Sequence, residues 1–233
     1  MTLSPRRVAT SVVMAAWAGL FWFLIASGRT SLYLSSRTDW VVPMGAVVLT
    51  VALAGRLGSL RTRGTEDVTT RDAIGLAAMV LPVVILLALP PASLTSFAAG
   101  RRSSFVGAGF VASAEDVATG DLSLTDVAGA LRSEDAMNAL AQRAGEDVTF
   151  VGFVNREPGM PADEFVLTRF LISCCVADAL SVEIRVAGAP PGELKQDQWV
   201  RVEGKLYPLG REVIVDLTEV TKVSRPKQPY LSS

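Results

Sequence analysis

Hydrophobic positions in this chain run almost unbroken through three early stretches and then alternate with polar ones toward the C-terminus. Residues 8–26 contain no charge, with Arg6 and Arg7 in front and Arg29 behind. Roughly 20 apolar residues cross a bilayer core as a helix, so this stretch reads as a membrane span. A signal peptide, basic at its start and apolar at its centre, is the competing reading, and the small-residue cleavage pattern it needs is poor. Residues 40–55 are fewer, bounded by Asp39 and Arg56, and span only with little tilt or with Arg56 reaching back to the interface. Residues 73–89 form the third stretch, with Pro82 inside it and Pro90-Pro91 behind. Proline is tolerated in membrane helices where neighbouring groups satisfy the freed carbonyl. Residues 1–92 are therefore expected to be a transmembrane region of about three helices.

Residues 93–120 are rich in Ser, Ala and Gly without a sustained period, and read as a linker with little structure of its own. Helical spacing then begins. Ser123 with Asp126 three positions on has the form of an N-cap, and Leu124, Val127, Ala128 and Leu131 share a face. Ser133-Glu-Asp repeats the cap signal ahead of Met137, Leu140 and Ala141, and Gly145 ends the pattern. One or two short helices are predicted. Beyond them the sequence is rich in Val, Ile, Phe and Thr, punctuated by Glu157-Pro-Gly, Gly188-Ala-Pro-Pro-Gly192 and Pro208-Leu-Gly210. Strands are predicted at 147–155, 164–173, 180–187, 198–207 and 212–223. Alternation puts Val200, Val202, Gly204 and Leu206 on one face of the fourth, the buried one, and Trp199, Arg201, Glu203 and Lys205 on the other. Five short strands suit a small closed β-barrel of the oligonucleotide/oligosaccharide-binding (OB) type, with a small sandwich as the alternative. The expected fold is thus a membrane α-helical N-terminal region plus a small all-β domain over 121–233.

Charge adds an orientation. Arg6, Arg7, Arg56, Arg61, Arg63 and Arg71 fall on one side of the three spans, and Arg29, Arg37, Arg101 and Arg102 on the other. Cytoplasmic loops carry the excess of basic residues, so the first group is expected inside and the β domain outside the cytoplasm. If the second stretch does not cross, that side reverses. From Asp147 onward ten Lys/Arg face twelve Asp/Glu, and the strands lack a regular aromatic platform, which argues against nucleic acid as a partner.

Composition narrows the chemistry. The chain contains no histidine, which removes Ser-His-Asp and Cys-His nucleophile pairs, HExxH zinc sites and histidine pH switches together. Its only two cysteines are adjacent, Cys174 and Cys175, within Arg169-Phe-Leu-Ile-Ser-Cys-Cys-Val-Ala-Asp178-Ala179. Neighbouring side chains on a strand point to opposite faces, so both sulfurs can address one ligand only if the backbone bends after Ser173. Four readings stand side by side. The thiols are structural, one buried in the barrel and one near its surface; or they contact a soft metal such as Zn(II) or Cu(I) with Asp178 or a partner adding ligands; or they form a vicinal disulfide; or one is a nucleophile. Arg169 could lower a thiol pKa if the fold brings it close, though a mid-strand arginine is more often solvated. Asp178 by default caps a turn before the third strand.

Several of these elements occur together in a known family. The apolar spans, the Pro-Pro after the last of them, Gly152-Phe-Val154, the Cys-Cys element through Ala179, Trp199-Val-Arg-Val-Glu-Gly204 and the closing Pro226-Lys-Gln-Pro229-Tyr230 resemble the DUF1980 proteins, a family also labelled as permease subunits. The resemblance implies a bacterial membrane protein acting beside a separately encoded multi-span permease, linked in some lineages to zinc homeostasis, and implies no known reaction. Residues 55–72 lack the histidine-rich stretch that some members carry between the later spans. The resulting expectation is a non-catalytic accessory subunit in the cell membrane whose β domain presents Cys174, Cys175 and Asp178, possible zinc ligands, to a permease or its cargo. Its partners would be the lipid bilayer and that permease, with a homodimer left open. The alternative is a membrane-tethered thiol redox protein cycling a vicinal disulfide.

Overall fold

The computed structural model describes residues 5–59, 68–89, 93–101, 112–210 and 212–232. Arg61, Arg63, Pro90, Pro91, Arg102 and the middle of the 93–120 stretch lie outside the described residues. The chain divides into two compact units, Met1–Ala92 and Ser93–Ser233.

The first unit consists of three long helices, α1 (Pro5–Ala26), α2 (Val41–Ser59) and α3 (Thr70–Ala88), with a 3-10 turn at Arg29–Leu32. All three are long and apolar enough to cross a membrane. The second is longer than the sequence suggested and continues past Arg56. Arg56 does not end it, because its guanidinium donates to Thr10 Oγ1 of α1 at 2.8 Å. Pro82 stands inside α3 without ending it, and Thr69 with Asp72 forms a capping box at its start. Such a cap satisfies the first free N–H groups of the helix. Two indole N–H groups on the apolar helices are paired across the bundle: Trp17 Nε1 donates to the Met79 carbonyl at 3.0 Å and Trp22 Nε1 to Thr50 Oγ1 at 3.1 Å. Where no water competes, such pairing is what lets polar atoms stay at membrane depth. Val47, Val51, Ile74, Met79, Leu81 and Leu87 remain exposed, a surface suited to lipid or to other membrane helices.

The second unit is built on strands β1 (Asp147–Asn155), β2 (Glu164–Ile172), β3 (Leu180–Ala187), β4 (Trp199–Leu209) and β5 (Glu212–Lys222), plus a short β6 (Leu231–Ser232). Their order is β1-β4-β5-β3-β2, and β1 pairs again with β2 through Phe153↔Thr168, Val154↔Leu167 and Asn155↔Val166. The five strands therefore close into a mixed barrel, antiparallel except for β3 beside β5. This is the OB-type connectivity that the strand count suggested. Period-two alternation fills the interior with Phe150, Val154, Phe165, Leu167, Val182, Ile184, Val202 and Leu206, all 2% exposed or less. Val200, Val202, Gly204 and Leu206 are the buried face of β4, as its alternation requires.

Helices α5 (Ala114–Thr119), α6 (Leu124–Ala130) and α7 (Glu134–Gln142) precede the barrel and bury Val117, Leu124, Val127 and Leu140 in the same core. Ser113, Ser123 and Ser133 cap them, each hydroxyl accepting an N–H from the first turn. The linker expectation for 93–120 needs correcting at both ends. Ala112 and Val117 belong to the core, and a one-turn helix, α4 (Ser96–Ala99), buries Ala99 against a second apolar cluster outside the barrel. With one large apolar residue in six, α5 has no period to read, and only its tertiary contact makes Val117 a core residue. Three packed helices thus stand where one or two were predicted. Strand limits shift slightly: β2 ends one residue early, and β4 runs through Pro208 and Leu209, so the reversal falls between Leu209 and Glu212, with Gly210 at a φ of +64°.

Candidate functional site: the cysteine turn

The two strands that carry the turn are fixed on both sides. Ile172 closes β2 and Ala179 precedes β3, and both are buried with Phe153, Phe170 and Tyr230 in the outer apolar cluster. The C-terminal segment covers this region. Leu231 and Ser232 pair in parallel with Leu171 and Ile172, and the Tyr230 hydroxyl accepts the Leu94 N–H at 3.2 Å. Arg169 holds the same segment, donating to the Pro229 carbonyl at 3.1 Å and the Gln228 carbonyl at 2.9 Å, with its guanidinium 6.0 Å from the Trp199 ring. Arg169 is thus neither a solvated strand residue nor the cation that activates a thiol. Its guanidinium is committed to two backbone carbonyls of that segment. The clue to this role lay in Pro226-Lys-Gln-Pro229-Tyr230, a proline-rich end whose tyrosine is only 3% exposed.

Between these anchors the chain bends at Ser173 and Cys174, is extended at Cys175, and makes a 3-10 turn over Val176–Asp178. Asp178 organises the bend. Its Oδ1 accepts the Ser173 N–H at 3.0 Å, and its Oδ2 accepts the N–H groups of Cys174 at 2.7 Å and Cys175 at 3.4 Å. A single carboxylate therefore satisfies three consecutive backbone donors, the capping role expected of an aspartate here. The bend places the sulfurs on one side, 3.6 Å apart. One ligand atom each from Cys174, Cys175 and Asp178 falls within 4.8 Å of the others. Cys174 is exposed and Cys175 half-buried, so neither is the one thiol buried in the barrel that the structural reading needs beside a surface one.

Electrostatics at the turn follow from that crowding. Hydrogen bonding to the Asp178 carboxylate, then to Cys175, pushes the Cys174 thiol up to about 11. Partial burial acts to raise the Asp178 carboxyl, but the hydrogen bonds from the Cys174 thiol and the three N–H groups outweigh it and hold the group below the usual carboxylate range. The thiolate is the nucleophile of cysteine chemistry, so Cys174 is masked at neutral pH. Iodoacetamide is expected to modify Cys174 in the Cys175→Ser protein roughly tenfold or more slowly than a free thiol at pH 7.5, with the rate still climbing above pH 9. Asp178→Asn keeps an acceptor oxygen while removing the charge, and should speed alkylation several-fold at the same pH. Mass spectrometry of timed quenches reads both.

Geometrically the turn suits a tetrahedral ion. Two sulfurs each about 2.3 Å from such an ion stand about 3.8 Å apart, close to the separation observed. Two sulfurs and one oxygen suit a borderline ion such as Zn(II) better than Cu(I), which prefers soft donors throughout. Another ionisable strand residue, Glu183, is shifted upward by burial, but it is not part of this group.

No curated protein matches the chain. The family model of the DUF1980 C-terminal domain matches residues 112–232, from the first core residue ahead of α5 through β6 and including the whole cysteine turn. The match covers more than half of the chain and lies within the folded unit built around the barrel, and the chain accordingly belongs to the DUF1980 family.

Proposed function

We propose that this protein is a non-catalytic accessory subunit of a membrane permease, in which three membrane helices anchor an extracytoplasmic barrel whose cysteine turn contacts a metal ion as transport cargo. The observation that carries this reading is the convergence of Cys174, Cys175 and Asp178 ligand atoms on a turn held by three backbone hydrogen bonds. Oriented donors lower the cost of assembling a metal site. The apolar surfaces left exposed on α2 and α3 support a membrane partner beside lipid. The vicinal-disulfide alternative draws less support, because redox-active thiols are usually those whose pKa is lowered. Calorimetry of the full-length protein in detergent under reducing conditions tests the metal reading: binding of Zn(II) supports it, and a flat titration at micromolar protein rejects it.

Orientation has its own test, since Cys174 is an exposed reporter. With the barrel outside the cytoplasm, a membrane-impermeant maleimide applied at mildly alkaline pH labels Cys174 in intact spheroplasts before lysis. Labelling that begins only after lysis places the barrel in the cytoplasm and rejects the arrangement inferred from the arginines.

A further inference from the structure

The donor inventory of the whole chain limits how a metal can be held. With no histidine and no cysteine beyond 174 and 175, this polypeptide can bring no further thiolate or imidazole to an ion at the turn. Among the described residues, Cys174, Cys175 and Asp178 are the group of such side chains whose ligand atoms converge. A tetrahedral ion with three protein donors keeps one position for a ligand from elsewhere. That is the form of sites where an ion reacts or exchanges, whereas structural sites supply all four ligands. The exposure of Cys174 makes the ion reachable from outside the barrel.

We propose that the turn is a hand-over site: Cys174, Cys175 and Asp178 hold a divalent borderline ion such as Zn(II), and the fourth position accepts an imidazole or thiolate of a different protein that takes or gives the ion. This rests on the metal-contact reading above. Transfer is ligand substitution without redox change. The first incoming donor displaces a water, further donors of the receiving protein replace the Asp178 carboxylate and then the two thiolates, and each cysteine sulfur takes a proton from solvent as its bond to the ion breaks. Asp178 is the donor suited to let go first. Its two oxygens offer about four lone-pair positions, of which the Ser173, Cys174 and Cys175 N–H groups take three. The fourth, which the Cys174 thiol occupies in the metal-free turn, falls to the ion when that sulfur binds as a thiolate, and the carboxylate keeps its three N–H partners when the bond to the ion breaks.

The test uses the full-length protein in detergent with a phosphine reductant, Co(II) as a spectroscopic substitute for Zn(II), and imidazole as the exchanging ligand. Expected are one Co(II) per chain, thiolate charge-transfer absorption, and tetrahedral d–d bands that shift saturably as imidazole is added while the ion stays bound. Asp178→Asn retains both sulfurs and should weaken Co(II) binding about tenfold or more; unchanged affinity overturns the three-donor set. Bands that ignore imidazole, or one Co(II) per two chains with a matching dimer mass by light scattering, show the fourth position closed by a second copy. Either result overturns the hand-over site while leaving metal contact standing. Absence of both Co(II) and Zn(II) binding by the unaltered protein instead rejects the metal-contact reading itself.

Discussion

Serine at both 174 and 175 is expected to abolish Zn(II) binding by the full-length protein, lowering affinity by at least about 100-fold, while the barrel is expected to melt within a few degrees of the unaltered protein. The two halves of this expectation have separate causes. A serine hydroxyl is far too weak an acid to supply an anionic ligand at neutral pH, so removing both sulfurs leaves Asp178 alone with the ion. Stability hardly changes because Cys174 is exposed and Cys175 half-buried, and substitutions outside the core usually stay within about 0.5 kcal/mol. The backbone of the turn also stays paired, since its N–H groups bond to Asp178 and not to the sulfurs. If the cysteines were packing residues, the outcome would be inverted: a buried cysteine behaves as a small hydrophobe, so the double variant would melt well below the unaltered protein, which would itself show no binding. Titration calorimetry and thermal melting of the same two preparations separate these cases.

A second large effect is expected at Gly204, where alanine should destabilise the barrel by roughly 3 kcal/mol and lower its melting temperature by on the order of 10 °C. The register of β4 against β5 shifts between Glu203 and Gly204. The bulge brings the Gly204 backbone against the Asp216 carbonyl, and a Cβ there would also stand 2.8 Å from Val215 Cγ1. Neither contact is the free end of a flexible side chain. Relief requires moving β5, whose Val215 is fully buried in the core. Gly159 supplies the control: it has a φ of +88° but nothing within 4 Å of an added Cβ, so alanine there meets only backbone strain of about 1 kcal/mol. Equal melting temperatures for the two variants would mean that β4 and β5 are not paired in this register.

How much of this was legible in advance depended on the range of the interaction behind each feature. The membrane helices follow from runs of apolar side chains, a local property, and the barrel strands follow from alternation between clear turn residues. Serine caps at Ser123 and Ser133 were equally readable, because a cap and its N–H lie three residues apart. The need for a bend after Ser173 also came from the sequence alone, since adjacent side chains on a straight strand diverge.

Other features depend on contacts between residues far apart in the chain, and no local pattern carries those. That α5 belongs to the core is decided by a single valine meeting the barrel. That Arg169 clamps the C-terminal segment is decided by carbonyls about sixty residues away, which is why its position in mid-strand suggested solvent or thiol activation instead. The sequence by itself determined which atoms exist for metal chemistry: two thiols, no imidazole, and a carboxylate four residues after the first sulfur. Only the tertiary structure decided that these atoms converge. Ile172 and Ala179 are buried and Ser232 pairs beside Ile172, which pins the ends of the turn, and the Asp178 carboxylate gathers three N–H groups that would otherwise need water.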